Sequence, residues 1–107
     1  MKLPPPIRSY FETDQSLEGG APLAAFANDA RVKDEGEILI GHARIDAWWR
    51  AAKAKYKARS EPREFSQAGD LATVRAEVSG DFPGSPAMLT FRFQLAGDKI
   101  TTLEIGA

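Results

Sequence analysis

Residues 26–49 read FANDARVKDEGEILIGHARIDAWW, and this stretch decides the fold because its periodicity changes part-way along. Ala30, Val32 and Asp34 share one face of a predicted strand over 30–34, and the odd-numbered charged residues share the other. Glu35-Gly36 predicts a tight turn into a second strand over 37–40. The last residue on the apolar face of this predicted strand is therefore an acid, Asp34. Asp34 is either an ordinary turn residue or a carboxylate aimed into a cavity.

The second half of the same stretch begins the longest predicted helix, which Gly41-His42 opens. Its apolar stripe has the i, i+3, i+4, i+7, i+11 spacing of one helical face. Ser60-Glu61-Pro62 is expected to stop this helix. The stripe consists of Ile45, Trp48, Trp49, Ala52 and Tyr56.

Two shorter helices are predicted upstream of residue 26. Three prolines at 4–6 favour a helix start. The helical spacing of the following residues predicts that this first helix extends toward Gly19-Gly20, with one face formed by Ile7, Tyr10, Phe11 and Asp14. Pro22 is expected to open a short second helix, PLAAFA, that Asn28-Asp29 terminates.

The remainder of the chain predicts a β-meander. Strands are expected at about 63–68, 71–80, 88–95 and 100–105, with turns at 68–70 and 96–99. In the third of these, Leu89 and Phe91 share the apolar face. Helices followed by a meander predict an α+β fold, with a curved, mainly antiparallel sheet wrapped around about three helices. Such a sheet can enclose an apolar pocket.

Composition narrows the function classes. The chain of 107 residues is expected to form a single domain over 1–107, with 43% hydrophobic and 27% charged residues and a net charge of −1. This balance favours neither nucleic acid nor a membrane as partner. With no cysteine and one histidine, thiolate and His-rich metal sites are excluded, and no metal site is predicted. We expect a cytoplasmic protein, because the MKLPPPIRSY start lacks the apolar stretch of a signal peptide.

The order of elements and the segment FANDARVKDEG…GHARIDAWW resemble the nuclear transport factor 2-like superfamily. Its members have a cone-shaped α+β fold, a cystatin-like roll, with an internal pocket. The most similar branch contains the ketosteroid isomerases and the SnoaL-like polyketide cyclases. The resemblance implies a similar roll here, but not a particular activity, since the fold carries enzymes, binding modules and transport adaptors.

The isomerase pattern also implies roles for particular residues. Its general-base aspartate corresponds to Asp34, its helical tyrosine to Tyr10, and its pocket aromatic to Trp48. The second acid, which helps to hold the oxyanion, corresponds to Leu89, so that donor is missing. Loss of one oxyanion donor costs about 100- to 1000-fold in rate, which argues against copying the isomerase assignment outright. Positions of the family's supporting tyrosines hold Phe26 and Trp49.

Several of these residues keep an ordinary structural alternative. Tyr10 is either an amphipathic core tyrosine or a donor to a ligand carbonyl. Asp14 is a helix-end carboxylate or a substitute second acid, and His42 is a terminus residue or a proton shuttle. Trp48 can be core and pocket wall together. The predicted catalytic pair is Asp34 and Tyr10, and the predicted pocket residues are Trp48, Phe26, Val32, Ile45, Leu89, Phe91 and Asp14.

The functional hypothesis is a pocket for a small hydrophobic carbonyl compound. Cofactor-free proton transfer by Asp34 and Tyr10 would then give isomerisation, cyclisation or dehydration. The alternative is a non-catalytic ligand-binding or interaction module of the same fold. A homodimer is expected through the exposed sheet face that carries Thr90, Arg92 and Gln94.

Overall fold

Six strands form one curved, unclosed sheet with two α-helices packed against it. The computed structural model describes all 107 residues. Helix α1 spans Pro5–Asp14, α2 spans His42–Tyr56, and a 3₁₀ turn spans Leu23–Ala25. The strands are β1 (Phe26–Asp34), β2 (Glu37–Ile40), β3 (Arg59–Ala68), β4 (Leu71–Ser79), β5 (Ala87–Ala96) and β6 (Lys99–Gly106).

The strand order is β2-β1-β6-β5-β4-β3, and every neighbouring pair is antiparallel except β1 and β6. The α+β prediction with a mainly antiparallel sheet is therefore confirmed. Alternation along the strands sends one face into the core: all four inward residues of β4, from Ala72 to Val78, are buried. Phe91 and Phe93 of β5 are buried beside them, as their phase predicts.

The predicted second helix is wrong beyond Ala25. Only three residues form a 3₁₀ turn, and the chain becomes strand at Phe26 instead of remaining helical to Ala27. Phe26 pairs with Ile100 of β6, and its side chain is only 2% exposed. Pairing and burial in the core thus override the weak helical tendency of a six-residue segment.

The end of the long helix also differs from the prediction. Helix α2 stops at Tyr56 because Lys57 adopts a left-handed conformation with φ of 48°. Residues 60–62, expected to terminate the helix, already belong to β3 and pair with β4. Pro62 is tolerated there because β3 is an edge strand and its register shifts beside this residue.

The outer face of the sheet is largely polar. Arg92 and Gln94 are exposed, as expected, whereas Thr90 is buried between its neighbours on the same face. Arg92 lies 3.9 Å from Glu104 on β6, and Lys33 on β1 lies 3.6 Å from the same carboxylate. Neither α-helix has the length and apolarity needed to cross a bilayer.

Candidate active site

Asp34 is the last residue of β1, and the two-residue hairpin turn Glu35-Gly36 follows it directly. Glu35 and Gly36 both have positive φ, 52° and 80°, and Asp34 pairs with Glu37 across the turn. This is the geometry of a type I′ turn, whose twist matches that of the flanking strands. Because Val32 points into the core, strand alternation points Asp34 to the same side. Asp34 is therefore both a turn residue and an inward-pointing carboxylate, so the two alternatives for this residue hold together.

The Asp34 carboxylate has a single side-chain partner. The indole Nε1 of Trp48 donates to Asp34 Oδ2 over 3.0 Å. Burial of the half-buried carboxylate raises the pKa of Asp34, which the Trp48 hydrogen bond partly opposes; the charges of Glu35 and Glu37 raise it further. No cation pairs with this carboxylate. The group is thus a carboxylate of increased basicity.

Tyr10 lies on α1 with its ring enclosed by aromatic side chains. The centroids of Phe11 and Trp49 are each 5.2 Å from the Tyr10 centroid, in edge-to-face geometry, and Phe93 lies at 5.6 Å. The ring is 3% exposed, yet its hydroxyl has no hydrogen-bond partner in the protein. Since no fully buried polar side-chain atom is left unpaired, that hydroxyl borders open volume.

Burial raises the pKa of Tyr10 well above its usual value, and the negative charges of Asp14 and Asp34 raise it further. The phenol therefore remains protonated at neutral pH and can donate a hydrogen bond.

A central cavity of about 400 Å³ brings these two groups together. Helices α1 and α2 form one side, and the ends of β1, β3, β4, β5 and β6 form the other. Phe82 and Pro83 border it from the loop between β4 and β5. The lining is mainly apolar, in the manner of a small-molecule site. It consists of Tyr10, Asp14, Asp34, Glu35, Trp48, Trp49, Ala52, Lys53, Tyr56, Ala58, Ser60, Val78, Phe82, Pro83, Ala87, Leu89, Phe91 and Ile105.

Asp14 borders the same cavity but has a different environment. Its Oδ1 accepts from Lys53 Nζ at 2.7 Å, and its Oδ2 accepts from the backbone N–H of Ser60 at 2.6 Å. Lys53 also donates to the carbonyl oxygens of Asp14 and Ala58. The Asp14–Lys53 pair joins the end of α1 to α2 and β3. The positive charge of Lys53 compensates the negative charge of Asp14. Both oxygens of Asp14 are occupied, which disfavours the role of substitute second acid.

A second cavity, of about 360 Å³, lies between the β1–β2 hairpin and α2. It shares five residues with the central cavity: Asp34, Glu35, Trp48, Ala52 and Tyr56. The Tyr56 hydroxyl donates to Glu35 Oε1 over 2.9 Å within this shared wall. Asp34 is therefore bordered by open volume on two sides.

The structure places six of the predicted pocket and catalytic residues around the central cavity: Tyr10, Asp34, Trp48, Asp14, Leu89 and Phe91. Phe26, Val32 and Ile45 do not border it, and their predicted place in the pocket needs correction. They are 2%, 0% and 0% exposed and fill the closed end of the fold. Their inward orientation was predicted correctly, but they lie too far from the end of β1 and the C-terminal half of α2.

Sequence reasoning missed other lining residues. Ala52 and Tyr56 continue the helical stripe of Trp48, so the stripe itself was a usable signal. No sequence pattern indicated Lys53, because its partner Asp14 is 39 residues away in the chain. His42 lies outside the cavity, where its Nε2 is 2.9 Å from the carbonyl oxygen of Phe26 and links the start of α2 to β1. No group of three or more His, Asp or Glu side chains converges as a metal site would require.

Comparison with known families decides the relationship. The model of the family described as SnoaL-like domain matches residues 7–103. The chain belongs to the SnoaL-like family. The predicted SnoaL-like branch of the nuclear transport factor 2-like superfamily is thereby confirmed. No protein of curated function matches this SnoaL-like domain significantly in sequence.

Solved structures agree on the fold of the SnoaL-like domain. A candidate polyketide cyclase from Sinorhizobium meliloti shares 43% identity and a TM-score of 0.89, over 96% of this chain and 94% of that one. A protein of ketosteroid isomerase-like fold from Catenulispora acidiphila, solved with trimethylamine, shares 19% identity, a TM-score of 0.86 and coverage of 99% and 87%. The epoxide hydrolase/cyclase-like enzyme SalBIII of salinomycin pyran ring formation shares 16% identity, a TM-score of 0.76 and coverage of 94% and 86%.

Proposed function

We propose that this SnoaL-like domain binds a small hydrophobic carbonyl compound and transfers a proton on it without a cofactor. One observation carries the proposal: a half-buried carboxylate without a cationic partner and a phenol hydroxyl without any protein partner border one apolar cavity. These are the two groups that enolate chemistry requires, a base and an oxyanion donor. The similarity to a candidate polyketide cyclase supports a substrate of this class.

The chemistry assigns one role to each group. Asp34 takes a proton from the carbon next to the ligand carbonyl, and the C–H electron pair becomes the enolate. Tyr10 donates a hydrogen bond to the enolate oxygen. Return of the proton from Asp34 to another carbon of the enolate completes an isomerisation. Attack of the enolate carbon on an internal carbonyl carbon moves the C=O electron pair onto oxygen, and transfer of the proton from Asp34 to that oxygen completes a cyclisation. The apolar wall excludes water and strengthens both electrostatic interactions.

Leu89 limits the rate that this arrangement can reach. It borders the cavity with an apolar side chain, where an isomerase-like site would offer a second acid. With one oxyanion donor instead of two, the rate is expected to be about 100- to 1000-fold below that of a two-donor site. This residue also favours the second candidate function, a domain that binds its ligand without turning it over.

The test uses 2-tetralone, a small bicyclic ketone, as the probe. Its α-protons exchange with deuterium in D₂O through the enolate, and proton NMR measures the rate. The wild-type protein should accelerate this exchange, and Asp34→Asn should lower the catalysed rate at least about 100-fold. Glu64→Gln is the matched control, because this exposed carboxylate on β3 borders neither cavity. Exchange by Asp34→Asn at the wild-type rate would refute the proposal.

The quaternary proposal is a homodimer through the outer sheet face. Met88 and Leu71 are exposed on this face beside Arg92 and Gln94, which gives it both apolar and hydrogen-bonding groups. Native mass spectrometry of the freshly purified protein should show twice the chain mass, and Arg92→Glu should shift the population toward monomer. The same spectrum reports any co-purified ligand. A monomer at all concentrations would reject this interface.

A further inference from the structure

We propose that Trp48 is a positioning residue: its indole N–H fixes one oxygen of Asp34, so that the other oxygen is the one presented to the ligand. The observation is the hydrogen bond of 3.0 Å from Trp48 Nε1 to Asp34 Oδ2. No other side chain bonds this carboxylate. The backbone N–H of Glu35 also favours the charged carboxylate, so it is the absence of a second side-chain donor that leaves Oδ1 available to a proton. The catalytic consequence rests on the proposed function, whereas the hydrogen bond and its effect on Asp34 do not.

The indole is well placed to hold a carboxylate still. Trp48 lies in the middle of α2, and its ring packs edge-to-face against Trp49 at 6.1 Å with an interplanar angle of 73°. Trp49 in turn is 3% exposed and packs on Tyr10. Asp34 ends a strand that is paired on both sides and precedes a tight turn. The donor and the acceptor thus both belong to ordered elements, which fixes the orientation of the carboxylate plane.

Trp48 also acts on the basicity of Asp34. Burial raises the pKa of this carboxyl, and the Trp48 hydrogen bond lowers it because the N–H favours the charged form. Removal of the donor should therefore raise the pKa of Asp34 further. A residue that only fills space would not produce this shift. The two tryptophans of the chain offer a matched pair, since Trp49 has a similar ring but makes no hydrogen bond to Asp34.

The first arm of the test needs no substrate. Proton–nitrogen NMR resolves two indole N–H signals, and Trp48→Phe assigns them by removing one. The Trp48 signal should titrate with the same midpoint as the Asp34 carboxyl, whereas the Trp49 signal should not follow it. In Trp48→Phe the carboxyl midpoint should move to higher pH, and in Trp49→Phe it should stay at the wild-type value. An unchanged Asp34 midpoint in Trp48→Phe would overturn the proposal.

The second arm measures the pH profile of 2-tetralone exchange. In Trp48→Phe the rising limb should move to higher pH together with the carboxyl midpoint. The plateau rate should fall at least about tenfold, because the base is no longer held in one orientation. If the plateau rate falls but the rising limb stays at the wild-type pH, Trp48 only lines the cavity, and its positioning role is rejected. If the wild-type protein shows no exchange at all, the proposed function fails, and the NMR arm still decides the hydrogen bond.

Discussion

Asp14 and Asp34 border the same cavity, yet the two carboxylates have opposite surroundings. Asp14 is 7% exposed, with a lysine on one oxygen and a backbone N–H on the other. Asp34 is half-buried, with one neutral side-chain donor on one oxygen and no cation. By burial alone, Asp14 would rank above Asp34 as a candidate functional group. The number of partners reverses this order, because both oxygens of Asp14 are engaged in contacts that a substrate would have to displace, whereas one oxygen of Asp34 has no side-chain donor.

The largest effect is expected at the Asp14–Lys53 pair. Lys53→Met leaves Asp14 buried without its cation, and the free energy of unfolding should fall by about 3–5 kcal/mol. Arg50→Met removes the cation of an exposed pair with Asp46 on the same helix and should cost less than about 1 kcal/mol. Urea denaturation of both variants measures the contrast. Equal, small losses would show that Asp14 is no more dependent on its partner than a surface carboxylate.

Tyr10→Phe should separate activity from stability. Loss of the phenol removes the only proposed oxyanion donor and should slow 2-tetralone exchange about 100- to 1000-fold. The free energy of unfolding should change by less than about 1 kcal/mol, because the hydroxyl has no protein partner to lose. Ile45→Ala is the opposite control: it should cost about 2–5 kcal/mol through a core cavity. A large stability loss in Tyr10→Phe would indicate an unrecognised structural role of the hydroxyl.

Glu35 extends the comparison to an exposed carboxylate at the same wall. Tyr56→Phe removes the hydroxyl that donates to Glu35, and the free energy of unfolding should fall by less than about 1 kcal/mol. Water replaces the lost donor at this exposed position. Thermal unfolding followed by circular dichroism detects the change as a shift of a few degrees at most. If Tyr56→Phe lowered the free energy of unfolding as much as Lys53→Met, the Tyr56–Glu35 contact at the β1–β2 hairpin would be a second major stabilising interaction.

The smallest effect concerns pH. Because the folded pKa of Asp34 is raised, the folded state holds this proton more tightly than the unfolded state. The free energy of unfolding therefore falls as pH rises from about 3.9, the unfolded value, to the raised folded pKa, and the contribution is constant outside this window. Asp34→Asn lacks this loss, so the wild-type protein should weaken relative to it as pH rises. Urea titrations from pH 3 to 7 test the sign; relative strengthening would contradict a raised pKa.

The sequence predicted those features that depend on local periodicity. Strand alternation over 30–34 oriented Asp34 inward, and the helical stripe placed Trp48 and Ile45 on the buried face. Periodicity gives the direction of a side chain but not its depth along the fold. For that reason Phe26, Val32 and Ile45 were expected in the pocket, although they are buried in the core and do not line the cavity.

The remaining features depend on contacts between distant parts of the chain. The Asp14–Lys53 pair has no local pattern, since α1 and α2 meet only in the folded state. The left-handed residue that ends α2 is a lysine, a type that sequence rules do not favour there. Phe82 and Pro83 border the cavity because the β4–β5 loop folds back toward Tyr56, with ring centroids of Phe82 and Tyr56 6.1 Å apart. Loop composition alone did not predict that contact.

The most direct test of a basic, ligand-accessible Asp34 is the titration of its own carboxyl carbon by NMR in the wild-type protein. Asp34→Asn assigns the resonance. We predict a midpoint clearly above about 3.9, the ordinary aspartate value. A midpoint at or below 3.9 would mean that Asp34 is stabilised as a carboxylate, and it would contradict the assignment of this residue as the base.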